Sequence, residues 1–227
     1  DNQSVDNAGQ LNAVVRGYST GTGTTIVGNS GSGHLTITSG TYTPGPLDVG
    51  SQDGSDGTVD NGGVLIDDAI IGDAGTGSMN NTAAHGVVGN LILGNQSTGN
   101  GTYTITGNTA QTTVTFANPA EAPNGALIVG NAGTGNFTQG MADQSDPGNQ
   151  VTVAGDVALG LQSGSTGTYT LNDGTLTVGG AMIVGAASTN DNVFTQNGGT
   201  VSITGSASGD GLYAPVSPGA VPSTSPG

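Results

Sequence analysis

The sequence predicts an all-β chain: a right-handed parallel β-helix, a solenoid of three short strands per coil and about seven to eight coils. Three observations lead there. Seven short apolar runs each end in glycine: Thr25-Ile26-Val27-Gly28, Leu47-Asp48-Val49-Gly50, Ala69-Ile70-Ile71-Gly72, Leu91-Ile92-Leu93-Gly94, Leu127-Ile128-Val129-Gly130, Val157-Ala158-Leu159-Gly160 and Met182-Ile183-Val184-Gly185. Gly28, Gly50, Gly72 and Gly94 follow one another every 22 residues, and the later intervals of 36, 30 and 25 admit insertions without losing the unit. Finally, 44 glycines would cost too much inside helices.

Side-chain parity orders the strands within each unit. A large apolar residue follows the glycine by seven or nine positions: Leu35, Val59, Met79, Tyr103, Phe137, Tyr169 and Phe194. The two spacings differ by two, so both put the side chain on the same face of a strand, and that face is expected to point inward. A third strand follows another turn and is clearest in Val151-Thr152-Val153, Thr175-Leu176-Thr177-Val178 and Thr200-Val201-Ser202-Ile203. Gly, Asn and Asp between the strands suit sharp corners, because Gly and Asn accept positive φ.

In the first strand, the residues one and three places before the glycine are mostly apolar and are expected to face the core. The residue between them is expected to face out: Ile26, Asp48, Ile70, Ile92, Ile128, Ala158 and Ile183. Asp48 supports this parity, because an inward unpaired carboxylate is costly. The expectation is a bare apolar stripe that something covers, with Ile70, Ile92, Ile128 and Ile183 as interface residues and Arg16 as an ion-pairing residue across an interface.

Three regions follow from the pattern. Residues 1–22 form an N-terminal arm, cap or atypical first coil around Leu11-Asn12-Ala13-Val14-Val15. Residues 23–205 form the coil stack, about 35 Å tall at strand spacing. Residues 206–227 are rich in Pro, Ser and Gly and read as an extended arm.

Composition removes several functions. The formal charge is -15, with Arg16 the single strong cation. Nucleic-acid binding requires several cations against phosphates, so no nucleic-acid partner is expected. No apolar run is long enough to span a bilayer, so no membrane insertion is expected. The chain opens at Asp1 without a signal peptide, which reads as a mature or trimmed product. The Gly, Thr, Asn and Ser richness, together with the lack of Lys, suits a secreted or cell-surface protein.

Acidic residues crowd one segment: Asp48, Asp53, Asp56, Asp60, Asp67, Asp68 and Asp73. Calcium takes six to eight oxygens, and Asp53, Asp56 and Asp60 are the candidate ligands. No other cofactor is expected. His34 and His85 lack the partners of a structural zinc site. Thr36, Thr104, Thr138, Thr170 and Thr195 fall at equivalent positions, interrupted by Asp60 and Asn80, and an array of this kind suits glycan or ice.

The segments Val129-Gly130-Asn131-Ala132-Gly133-Thr134-Gly135-Asn136-Phe137-Thr138 and Gly167-Thr168-Tyr169-Thr170 through Val178 resemble repeats of bacterial secreted β-helix proteins, autotransporter passengers among them. The resemblance spans about residues 23–205 and implies the β-helix fold at a bacterial surface. Passengers of this type include adhesins, matrix proteins and enzymes. The resemblance also implies that polysaccharide lyases of the fold need a basic residue near calcium and its hydrolases need basic partners for their acids. Arg16 stands outside the stack, and Asp67-Asp68 with His85-Gly86 lack basic partners, so no enzyme is expected. The expected function is an extracellular structural protein that assembles with copies of itself. The alternatives are an adhesin or glycan-binding fragment with surface glycans as partners, and more remotely a carbohydrate-active enzyme.

Overall fold

A computed structural model describes residues 4–5, 11–16, 19–20, 23–43, 45–65, 68–82, 85–106, 113–116, 127–141, 149–205 and 212–213. Strands form long parallel sheets, and no helix occurs among the described residues. The first sheet has nine strands: β1 (Ser4–Val5), β4 (Thr25–Val27), β7 (Leu47–Val49), β10 (Ala69–Ile71), β13 (Leu91–Leu93), β16 (Leu127–Val129), β19 (Val157–Leu159), β22 (Met182–Val184) and β25 (Leu212–Tyr213). The second has eight: β2 (Leu11–Arg16), β5 (Ser32–Ser39), β8 (Asp56–Asn61), β11 (Thr76–Asn81), β14 (Asn100–Ile105), β17 (Thr134–Gln139), β20 (Thr166–Leu171) and β23 (Val193–Gln196). A three-stranded sheet, β3 (Ser19–Thr20), β6 (Thr41–Thr43) and β9 (Val64–Leu65), takes the third place in the early repeats. A five-stranded sheet takes it afterwards: β12 (His85–Val88), β15 (Thr113–Phe116), β18 (Gln150–Val153), β21 (Thr175–Val178) and β24 (Thr200–Ile203). The chain thus returns to each sheet once per repeat, a pattern compatible with a β-helix.

Strand pairing carries the repeat register directly. Leu35, Val59, Met79, Tyr103, Phe137, Tyr169 and Phe194 are successive Cα partners in one column. All but Phe194 are buried, as the parity of the sequence predicts. The aromatic rings stack, with centroids 5.1 Å apart for Tyr103–Phe137 and 4.6 Å for Phe137–Tyr169. Pairing also runs past the 23–205 boundaries: β2 pairs with β5, and β25 pairs with β22.

Glycine makes the corner between the first two sheets. At the seven run-ending glycines φ lies between 63° and 76°, the left-handed region that favours glycine. A Cβ on Gly94 would overlap the Thr134 carbonyl of the following repeat. The backbone N–H of Gly94 instead donates to Ile71 O at 3.0 Å, tying one repeat to the one before.

Buried polar side chains line the far end of the second sheet. Asn61 Nδ2 donates to Asn81 Oδ1 at 3.1 Å, and Asn81 Nδ2 donates to the Tyr103 hydroxyl at 3.1 Å. The Tyr169 hydroxyl donates to Gln139 Oε1 at 2.6 Å, while Gln139 Nε2 donates to the carbonyls of Asn149 and Thr175. A rule joins these pairs. Each aromatic reaches the corner residue of the preceding repeat, and it carries a hydroxyl where that residue is an amide. Tyr103 meets Asn81 and Tyr169 meets Gln139. By repeat equivalence Phe137 corresponds to Ile105 and Phe194 to Leu171.

Candidate functional site

The acidic candidates are spread apart. Asp53 sits in the turn before β8, Asp56 opens β8 and is exposed, and Asp60 lies four residues further along the same strand. Four extended residues span about 13 Å, too far for Asp56 and Asp60 to share one ion. Among the described residues no three His, Asp or Glu side chains group as a metal site. Asp67 lies outside the described residues.

Other acids near the first corner have protein partners. Asp73 Oδ1 accepts from Asn95 Nδ2 at 2.7 Å, Asn131 donates to Asn95 at 2.8 Å, and Gln162 donates to Asn131 at 3.0 Å. This ladder climbs the outside of the stack: Asp73, Asn95 and Asn131 directly follow corner glycines, and Gln162 stands two places after Gly160. In the sequence these residues read as turn formers. The recurrence of Asn or Asp directly after Gly28, Gly72, Gly94 and Gly130 was the available signal.

His34, Asp60 and Thr36 meet on the outer face of the second sheet. His34 Nε2 lies 2.9 Å from Asp60 Oδ2 and 3.3 Å from Thr36 Oγ1. Both contacts fall on one ring nitrogen. A nucleophile relay needs the hydroxyl and the carboxylate on opposite nitrogens, so this trio is a surface hydrogen-bonded cluster. His85 belongs to β12 by its backbone, and its side chain lies outside the described residues.

The same face carries ranks of uncharged side chains. Thr104, Thr138, Thr170 and Thr195 are successive partners, and beside them run Thr102, Asn136 and Thr168. Thr36 starts the first rank, with Asp60 and Asn80 interrupting it as the sequence indicates.

The outward column of the first sheet differs from the bare stripe expected. Ile26, Asp48, Ile70, Ile92, Ile128, Ala158 and Ile183 are successive partners. The isoleucines are only partly exposed, and Ala158 is 1% exposed. The reason is register: each side chain sits between those of the repeats before and after it, and the small Ala158 lies between Ile128 and Ile183. Asp48 lies between Ile26 and Ile70. Burial raises its carboxyl above the ordinary range, a hydrogen bond from Ser51 opposes this, and nearby Asp73 adds to it. Its Oδ1 is buried without a hydrogen-bond partner.

Among the described residues, β2 of the second sheet pairs with β5 alone and β23 pairs with β20 alone. At the β23 end the core side chains lose cover. Tyr169, Leu176 and Val178 are 0% exposed, but their column partners Phe194, Val201 and Ile203 are only partly buried, and Val193 is 42% exposed. Arg16 ends β2, at the opposite edge, and its side chain lies outside the described residues.

These features define a class: an all-β repeat protein with long parallel sheets and registered side-chain columns. No family model, no curated protein and no solved structure matches the chain. No helix among the described residues is long and apolar enough to cross a membrane.

Proposed function

We propose that this chain is a non-catalytic extracellular structural protein, a right-handed parallel β-helix that self-assembles into a filament or surface matrix. Three short strands per coil and about seven to eight coils agree with eight strands in the second sheet. Right-handedness follows from the strong preference of crossovers between parallel strands of one sheet. The observation that carries the assembly reading is that, among the described residues, the outer edges of β2 at one end and of β23 and β24 at the other have no strand partner. Unpaired edges template addition of another chain unless charge or proline blunts them. The only strong cation is Arg16, so lysine blunting is absent from the sequence.

Secretion is supported by composition, and a bacterial surface by the resemblance of the repeats. Sedimentation velocity and electron microscopy test the reading: growing polymers at rising concentration support it, and a single monomeric species at the highest concentration overturns it. A second reading, glycan adhesion, is favoured by the Thr and Asn ranks beside Thr104, Thr138 and Thr170. A signal on a glycan array from monomeric protein, lost in Thr138→Lys, supports it, and an empty array overturns it.

A further inference from the structure

We infer that copies stack head to tail, with β2 of one copy adding to the outer edge of β23 of another and β25 taking the place that β1 holds in the free chain. The inference rests on the self-assembly reading and specifies its interface. It starts from an imbalance. Among the described residues the first sheet has nine strands, the second has eight, and the sheets of five and three share the remaining place. The surplus strand is β25, which pairs with β22 and opens a further repeat.

The chain's own sequence does not suit that further repeat. Met182 and Ile183 pair with Leu212 and Tyr213, so the residue in line with Gly185 is Pro215. Gly185 has φ 70°, and the six other corner glycines share that region. The proline ring holds φ near about -65°. A proline at that position does not suit the left-handed φ that the seven corners use, and among the described residues no strand extends β23. Yet Phe194, Val201 and Ile203 lack the cover that their column partners receive.

A second copy supplies what is missing. β2 is the terminal strand of the same sheet on the opposite side, with no partner on its outer edge among the described residues. Its register places Ala13 in line with Leu35 and Val14 in line with Thr36. Continued across the junction, these columns set Ala13 against Phe194 and Val14 against Thr195. The junction continues the ladder that builds the stack, and Arg16 falls on the joining edge. The second sheet runs on unbroken only if the junction holds a single first-sheet strand. β1 and β25 compete for that position. Leu212–Tyr213 brings two apolar residues where Ser4–Val5 brings one. The contact joins different surfaces of the two copies, so it does not close and produces a filament.

The chain has no cysteine, which makes crosslinking a clean test. Two full-length variants, Thr195→Cys and Val14→Cys, are mixed and treated with a mild oxidant. Register partners one rung apart lie about 4.8 Å apart, inside the Cα range of a disulfide. The expected result is a covalent dimer in this mixture and none when Thr195→Cys is mixed with Thr102→Cys. Melting curves of the single variants confirm that they fold. A wild-type polymer without the Thr195–Val14 dimer overturns the head-to-tail register and leaves self-assembly standing. A wild-type chain that stays monomeric overturns both.

Discussion

Tyr169→Phe removes one hydroxyl from the centre of the core. That hydroxyl donates to Gln139 Oε1 at 2.6 Å, and both residues are 0% exposed. The ring itself stays between Phe137 and Phe194, at centroid distances of 4.6 and 5.4 Å, so stacking and apolar burial survive. What changes is one buried oxygen left without its donor. Gln139 cannot turn its amide over to compensate, because its Nε2 is held by the carbonyls of Asn149 and Thr175 at 3.2 and 3.0 Å. A buried group left unsatisfied costs about 1–3 kcal/mol. At roughly 2–4 °C per kcal/mol for a chain of this size, melting drops by about 2–12 °C. The mirror change is Phe137→Tyr, which sends a hydroxyl toward Ile105, the residue in line with Gln139. It destabilises alone, and adding Ile105→Asn recovers stability by copying the Tyr103–Asn81 pair. Denaturant unfolding gives the cycle, and hydrogen exchange in β17 and β20 localises it if the repeats unfold in stages. Both single variants falling within about 0.5 kcal/mol of the parent would refute the reasoning. So would a double variant no better than the sum of its parts.

Gly94→Ala, at φ 63° and facing the Thr134 carbonyl, is expected to prevent or severely weaken folding, whereas Gly164→Ala, at φ 81° with open space around it, loses about 1 kcal/mol; equal melting of the two variants contradicts the corner argument. Asp48→Asn is expected to stabilise the protein at neutral pH. The folded state holds the Asp48 proton more tightly than the unfolded chain, so native stability is full below the ordinary carboxylate pKa of about 3.9 and declines as pH rises through the raised value. The melting gap between Asp48→Asn and the parent should therefore widen from acid to neutral pH, and a constant gap counts against it. Asp53, Asp56 and Asp60 do not converge, so millimolar calcium added after chelation is expected to leave the melting curve in place; a shift abolished by Asp56→Asn reverses that conclusion.

Much of the fold was legible because it depends on local chemistry. Alternation of period two placed Leu35 through Phe194 in one inward column, and positive φ singled out glycine at each corner. The cover on Ile92 and Ala158 was not legible, because it comes from neighbours one repeat away rather than from the residue's own strand. The polar corners were hidden for the same reason. Asn81 reads as a turn former until Tyr103, 22 residues later, is seen to reach it, and Gln139 needs Tyr169, 30 residues later. The hydrogen bond between His34 and Asp60 likewise spans 26 residues. For the candidate calcium set the crowding of acids along the chain was real. A strand separates what sequence proximity joins, so crowding did not become convergence.

Repeats that resemble one another create a problem of order. A strand that added one place too early would still bury its apolar face, since the columns are filled by interchangeable Leu, Ile and Val. Loop closure gives little help, because doubling a loop costs only about 0.6 kcal/mol. The longest intervals between corner glycines run from Gly94 to Gly130 and from Gly130 to Gly160, and there a misplaced return is least penalised by the chain. The aromatic stack of Tyr103, Phe137 and Tyr169 spans those same intervals. If β17 added directly to β11, Phe137 would replace Tyr103 beneath Asn81 and strand the amide that now donates to the Tyr103 hydroxyl. If β20 added to β14, the Tyr169 hydroxyl would face Ile105 in place of Gln139. Each error orphans a buried polar group at about 1–3 kcal/mol, a larger penalty than the loops impose. On this argument the few amides and hydroxyls inside an otherwise apolar column set the order of the repeats, and they stand where the insertions make order hardest to keep.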